Sequence, residues 1–102
     1  VIKLVAIYDK PDDEAAFWEH YEKVHAPLTR QVPGLQSLEL LRVTADAFGG
    51  EPPFYLIATM TFPDEATFKA AMRSEENKRV GQDVMSFAKG KVKVLVTEVK
   101  EV

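Results

Sequence analysis

The order in which strand-like and helix-like runs follow one another constrains this chain more than any other property. Residues 1–8 (VIKLVAIY) are rich in β-branched and aromatic side chains and stop at Asp9-Lys10-Pro11, as a strand running into a turn does. Asp12 and Asp13 can then accept from the free amides of a first helical turn. Phe17, Tyr21, Val24, Leu28 and Val32 recur at spacings of four, three, four and four, which predicts one amphipathic helix with those five as its buried stripe. Pro33-Gly34 ends it, and residues 35–43 (LQSLELLRV) return to a strand-like pattern. Residues 44–53 (TADAFGGEPP) hold two glycines and two prolines, which suits a long connection able to cover a cavity mouth and not a two-residue hairpin. Residues 54–62 (FYLIATMTF) place Phe54, Leu56, Ala58, Met60 and Phe62 on one face of a strand and Tyr55 and Ile57 on the other. Pro63-Asp64 opens a second helical region in which Phe68, Ala71 and Met72 lie together, and Ser74 can cap a continuation bearing Val80, Val84 and Phe87. Gly90 stops it, and residues 91–99 (KVKVLVTEV) alternate as a last strand.

The order β, α, β, β, α, β is that of a ferredoxin-like α+β fold: two split βαβ units around an antiparallel four-stranded sheet. The whole of residues 1–102 is expected to form one such domain. In that architecture helices cover one face of the sheet, yet apolar residues occupy both faces of several strands, as with Val5 and Ile7 opposite Leu4 and Ala6. Something must cover the second face, and a homodimer packed through the open sheet face would do so. A formal net charge of -3 gives no broad attraction for phosphate backbones, so no nucleic-acid partner is expected. The absence of cysteine removes thiol chemistry. The first apolar run is interrupted by Lys3 and is too short to span a membrane, and it has no basic leader, so the expectation is a cytoplasmic protein.

His20 and His25 are the two histidines, and both fall on the first helix. On a regular α-helix they lie roughly 140° apart, which disfavours a shared metal; no metal site is expected. His25 falls nearer Trp18 and Tyr21 and is the better candidate for a general acid or base, with Glu22 one turn back to orient it. Pro27 supplies no amide to Lys23 and disfavours helix at Ala26, so a kink is expected beside His25. The competing reading is a half-buried, hydrogen-bonded structural histidine. Trp18, Tyr21, Tyr55, Tyr8 and Phe54 form an aromatic set that can line a pocket for a hydrophobic small molecule or simply build the core. Arg42 can neutralise an anionic substrate or join a surface ion pair. Ser37, Ser74 and Ser86 lack a nucleophile-elbow context, and Gly49-Gly50 is not followed by the Lys-Ser or Lys-Thr of a phosphate loop.

Residues 17–28 (FWEHYEKVHAPL), 33–35 (PGL) and 54–68 (FYLIATMTFPDEATF) together resemble EthD-like proteins, a likeness that continues through residues 72–76 (MRSEE) and 83–88 (DVMSFA). The resemblance implies a dimeric α+β barrel, in which two ferredoxin-like subunits pack sheet against sheet. It carries His25 over as the histidine of the family's His-x-Pro run. It implies oxidoreductase or monooxygenase-type chemistry without a cofactor, on an aromatic or ketone-bearing substrate. Relatives in the wider barrel group also include cyclases, dehydratases and proteins without known activity, so a non-catalytic ligand-binding or accessory role stays open. The haem-degrading relatives carry an Asn on the first strand, whereas this chain's only Asn is Asn77.

Overall fold

The computed structural model describes residues 1–102. Its elements are β1 (Ile2–Tyr8), α1 (Glu14–His20), a π-helical turn (Tyr21–His25), α2 (Ala26–Arg30), β2 (Ser37–Arg42), β3 (Leu56–Phe62), α3 (Glu65–Met72), α4 (Glu75–Ala88) and β4 (Val92–Glu98). The strands form one antiparallel sheet in the order β2-β3-β1-β4, the α+β arrangement expected from the chain order. Three helices, α1, α3 and α4, begin where the sequence supplies an acceptor. The Asp13 side chain accepts from the Ala16 amide, Asp64 from Thr67 and Ser74 from Asn77, each such cap stabilising by about 1 kcal/mol. Asp12 does not share that work; its carboxylate reaches Lys91 instead, at 3.5 Å. Gly34, at φ 81°, is required twice over, since a Cβ there would also collide with the Thr67 side chain.

Alternation along the two central strands builds the core. Ala6 and Tyr8 on β1 and Leu56, Ala58, Met60 and Phe62 on β3 are buried under Phe17, Tyr21, Val32, Phe68, Ala71, Val84 and Ala88 from the helical layer. β4 lies at the sheet edge, where the helices leave Val94 and Val96 exposed although both are on the helix side. On the opposite face, Val5, Ile7 and Ile57 are partly buried and Leu41 and Leu95 are exposed. No helix is long and apolar enough to cross a membrane.

The first helical region departs from a regular helix where Pro27 disrupts it. The Ala26 amide bonds back to the Tyr21 carbonyl, five residues away, so the turn is one residue wider than an α-helical turn. Pro27 can bond no carbonyl in either pattern, and the kink expected there takes this form. The consequence is a change of stripe. Val24 is exposed, and the inward positions are Phe17, Tyr21, His25, Thr29 and Val32. The wide turn thus replaces a valine with a histidine in the core.

Candidate functional site

His25 is 4 % exposed and lies beneath α4. Its Nδ1 is 2.8 Å from Asp83 Oδ2, and the same carboxylate receives His20 Nε2 at 2.9 Å on Oδ1 and 3.0 Å on Oδ2. An ionised aspartate can only accept, so both imidazoles must present N–H groups to it. For neutral His25 this puts the proton on Nδ1 and the lone pair on Nε2, which makes no hydrogen bond within the protein. Thr29 Oγ1 donates to the His25 carbonyl at 3.0 Å and ties the far side of the wide turn. The Tyr21 and Phe87 rings both pack edge-on to the imidazole at 5.0 Å and touch each other at 6.1 Å.

His25 lines a cavity of about 180 Å³ between β1, β3, β4 and α4. Its walls are apolar, with Leu4, Ala6, Met60, Met72, Val80, Val84 and Val94; its polar members are His25, Tyr8, Tyr21 and Asn77. An apolar cavity of roughly 150 Å³ accommodates a benzene ring, so this one is sized for a single ring or a short chain. Anything larger must extend through the mouth, where Gly81 and Val94 are exposed. A wider surface hollow of about 300 Å³ beside Asp12, Asp13, Lys89 and Lys91 is lined by exposed charges and shields nothing comparable.

Burial lowers the pKa of His25, and the nearby His20 adds to that; the hydrogen bond and charge of Asp83 oppose it without reversing the direction. The imidazole is therefore neutral at physiological pH and able to accept a proton. Burial likewise pushes the Tyr21 hydroxyl up to about 12, and raises Tyr8 further, with the adjacent Tyr21 adding to the effect. Both phenols stay protonated, and the Tyr8 hydroxyl donates to that of Tyr21, which leaves the Tyr21 proton as the one not committed to its neighbour.

The site residues expected from the sequence separate into two groups. Tyr8, Tyr21 and His25 meet at the cavity. Trp18 and Tyr55 instead sit together on the flank of α1: Trp18 Nε1 donates to the Tyr55 hydroxyl at 2.8 Å, which donates to Glu14 at 2.8 Å. Arg42 joins that group, not through an ion pair but with its guanidinium 5.6 Å from the Trp18 ring centre. Phe54 lies away from the His25 cavity, sharing a surface hollow with Tyr55 and Glu14 and with the Lys93 ammonium 5.8 Å from its ring centre. Glu22 is exposed and makes no contact with His25; the carboxylate that orients it is Asp83. The two histidines, expected on diverging faces, converge on one carboxylate because the π-helical turn places residues five apart where a regular helix would place residues four apart. Asp83 carried a usable signal, since Val80, Val84 and Phe87 mark the inward face of α4 and an acid between them is out of place.

A family model described as the EthD domain matches residues 10–91. An uncharacterized 11.0 kDa protein from the thcB-thcC intergenic region of Rhodococcus erythropolis is 34% identical over 97 residues, covering 94% of this chain and 92% of its own. Among solved structures, an EthD family protein from Bacillus halodurans superposes with a TM-score of 0.91 at 39% identity, over 97% of this chain and 98% of the other. A cofactor-independent oxygenase from Streptomyces nogalater superposes with a TM-score of 0.71 at 13% identity, over 99% and 94% of the two chains. At that identity the second likeness bears on the fold alone.

Proposed function

The chain belongs to the EthD family, and from that premise we propose that it is a small-molecule enzyme of oxidoreductase type. His25 removes a proton from a hydrophobic aromatic or ketone-bearing substrate. One observation carries this reading: a buried, neutral imidazole, held at Nδ1 by Asp83 and with no partner at Nε2, lines a largely apolar cavity. A structural histidine would have its second nitrogen satisfied as well.

The chemistry runs through these groups. Nε2 takes the proton from a phenol hydroxyl or an activated methylene, and the charge of Asp83 balances the resulting imidazolium. Tyr21, whose oxygen accepts from Tyr8, donates its own proton to the phenolate or enolate oxygen. The dry walls keep the anion electron-rich. Dioxygen from solution then oxidises it: a methylene and O2 become a ketone and water, one oxygen atom entering each product. A cofactor-independent oxygenase is built on the same fold, so the fold is compatible with this oxidant. Trp18 and Tyr55 do not line this cavity, so the proposal gives them no substrate contact within it.

The chain acts as one domain and as a homodimer through the open sheet face, where Leu41 and Leu95 stay exposed in the single chain. Light scattering at micromolar concentration should give twice the 11.5 kDa chain mass; a monomer would remove this part.

The direct test offers the protein a panel of quinols and activated cyclic ketones and follows oxygen uptake, together with deuterium exchange at the acidic carbon. Activity that falls by about 10²–10⁴ in His25→Gln supports the base role. Ligand binding with neither exchange nor oxygen uptake in the wild-type protein would show a carrier and sink the enzyme reading. Exchange without oxygen uptake would turn it toward a cyclase or dehydratase.

A further inference from the structure

We propose that His20 is a positioning residue for His25, acting through the one carboxylate that both imidazoles share. The proposal rests on reading His25 as the base, and it assigns a role to a second histidine that the proton transfer itself does not use. Asp83 is the only hydrogen-bonding partner of either ring. If it accepted from His25 alone, the carboxylate could rotate and would concentrate its charge on Nδ1. Instead the His20 N–H lies across both oxygens, at 2.9 and 3.0 Å, which pins the plane of the carboxylate and draws off part of its acceptor strength. His20 is itself held, its ring 4.6 Å from that of Phe87.

The two rings differ in access to water. The His25 side chain is 5% exposed and that of His20 is 32% exposed, so the outer ring can exchange protons with solvent while the inner one is enclosed. Asp83 from α4 faces both rings; Tyr8 from β1 and Tyr21 from the wide turn also face His25. Glu19 and Lys23 flank His20 on its own helix and pair with each other at 3.4 Å. Because the His20 N–H occupies both oxygens, His25 is left with a weaker acceptor than an unshared carboxylate would be. The outer histidine therefore sets how strongly the carboxylate supports positive charge on the inner one. Burial and the proximity of His20 act on His25 in the same direction.

NMR titration of the histidine ring signals tests this without a substrate. His20→Phe keeps the ring against Phe87 but removes the donor, and it should move the His25 midpoint upward. In an Asp83→Asn background only the direct repulsion between the rings remains, so the same replacement should move His25 by clearly less. An unmoved or lowered midpoint in His20→Phe, or an equal shift in both backgrounds, overturns the proposal. Should His20→Phe fail to fold, His20→Gln decides, because it can still donate to Asp83 but cannot ionise. With the donor to Asp83 kept, the His25 midpoint should stay near its wild-type position, and a large upward move overturns the proposal. Loss of the base role would appear separately, as full turnover in His25→Gln, with the coupling between the rings intact.

Discussion

Two polar aromatic clusters adjoin along the same helical region, Trp18 of one lying 6.1 Å from Tyr21 of the other, and they differ in how each keeps company with water. Around His25, two phenols, an imidazole and a carboxylate are enclosed by apolar walls. Around Trp18, an indole, a phenol, a carboxylate and a guanidinium form a chain of contacts at the surface, with Tyr55 only partly covered and Glu14 exposed. The residue types are nearly the same. In the first cluster burial moves the protonation equilibria and one ring nitrogen is left free for a ligand; in the second the polar hydrogens are already bonded to neighbouring side chains. Chemistry follows from the unpaired lone pair in a dry place, and aromatic content alone does not separate the clusters.

The contrast breaks most sharply at Asp83. Asp83→Ala leaves a buried Nδ1–H without an acceptor and should cost about 1–3 kcal/mol of stability in denaturant unfolding, together with most of the proton-abstraction activity. A variant as stable and as active as the wild type would show that the inner cluster is no more demanding than the outer one.

A smaller effect should appear with pH. In the unfolded chain His25 titrates near its ordinary value of 6.5, whereas burial lowers it in the fold, so protons bind preferentially to the unfolded state. The stability that comes from burying His25 is complete above that ordinary value and is lost progressively as the pH falls from it through the folded midpoint. Unfolding curves collected across mildly acidic pH should show the loss, and His25→Gln should flatten it. The smallest effect belongs to the outer cluster: Tyr55→Phe removes two exposed or half-exposed hydrogen bonds and should change stability by no more than about 0.5 kcal/mol in the same assay. A large loss there would erase the distinction between the clusters.

The framework was readable in the sequence because it depends on local rules. Alternation along β3 named the buried face from Leu56 to Phe62, and Asp64 and Ser74 announced the starts of α3 and α4. The site was readable only in part. His25, Tyr8 and Tyr21 were expected, but the partner of His25 lies 58 residues away in sequence, beyond any argument confined to one helix. Glu22 was the nearest acid along the helix and proved to face water. The angle between the two histidines failed for a physical reason: the arithmetic assumed a uniform α-helical repeat, and Pro27 sits next to a turn that does not keep it.

The wide turn also governs how relatives should be aligned. It absorbs one residue between Tyr21 and Ala26 while the flanking helices keep the same faces on the sheet. A chain one residue shorter at this point, wound as a regular α-helix, would present two imidazoles to the same carboxylate with His-x-x-x-His spacing in place of the five-residue step seen here. A search that demands fixed spacing would treat those two chains as different motifs, whereas a single gap placed within residues 22–24 makes their sites superimpose.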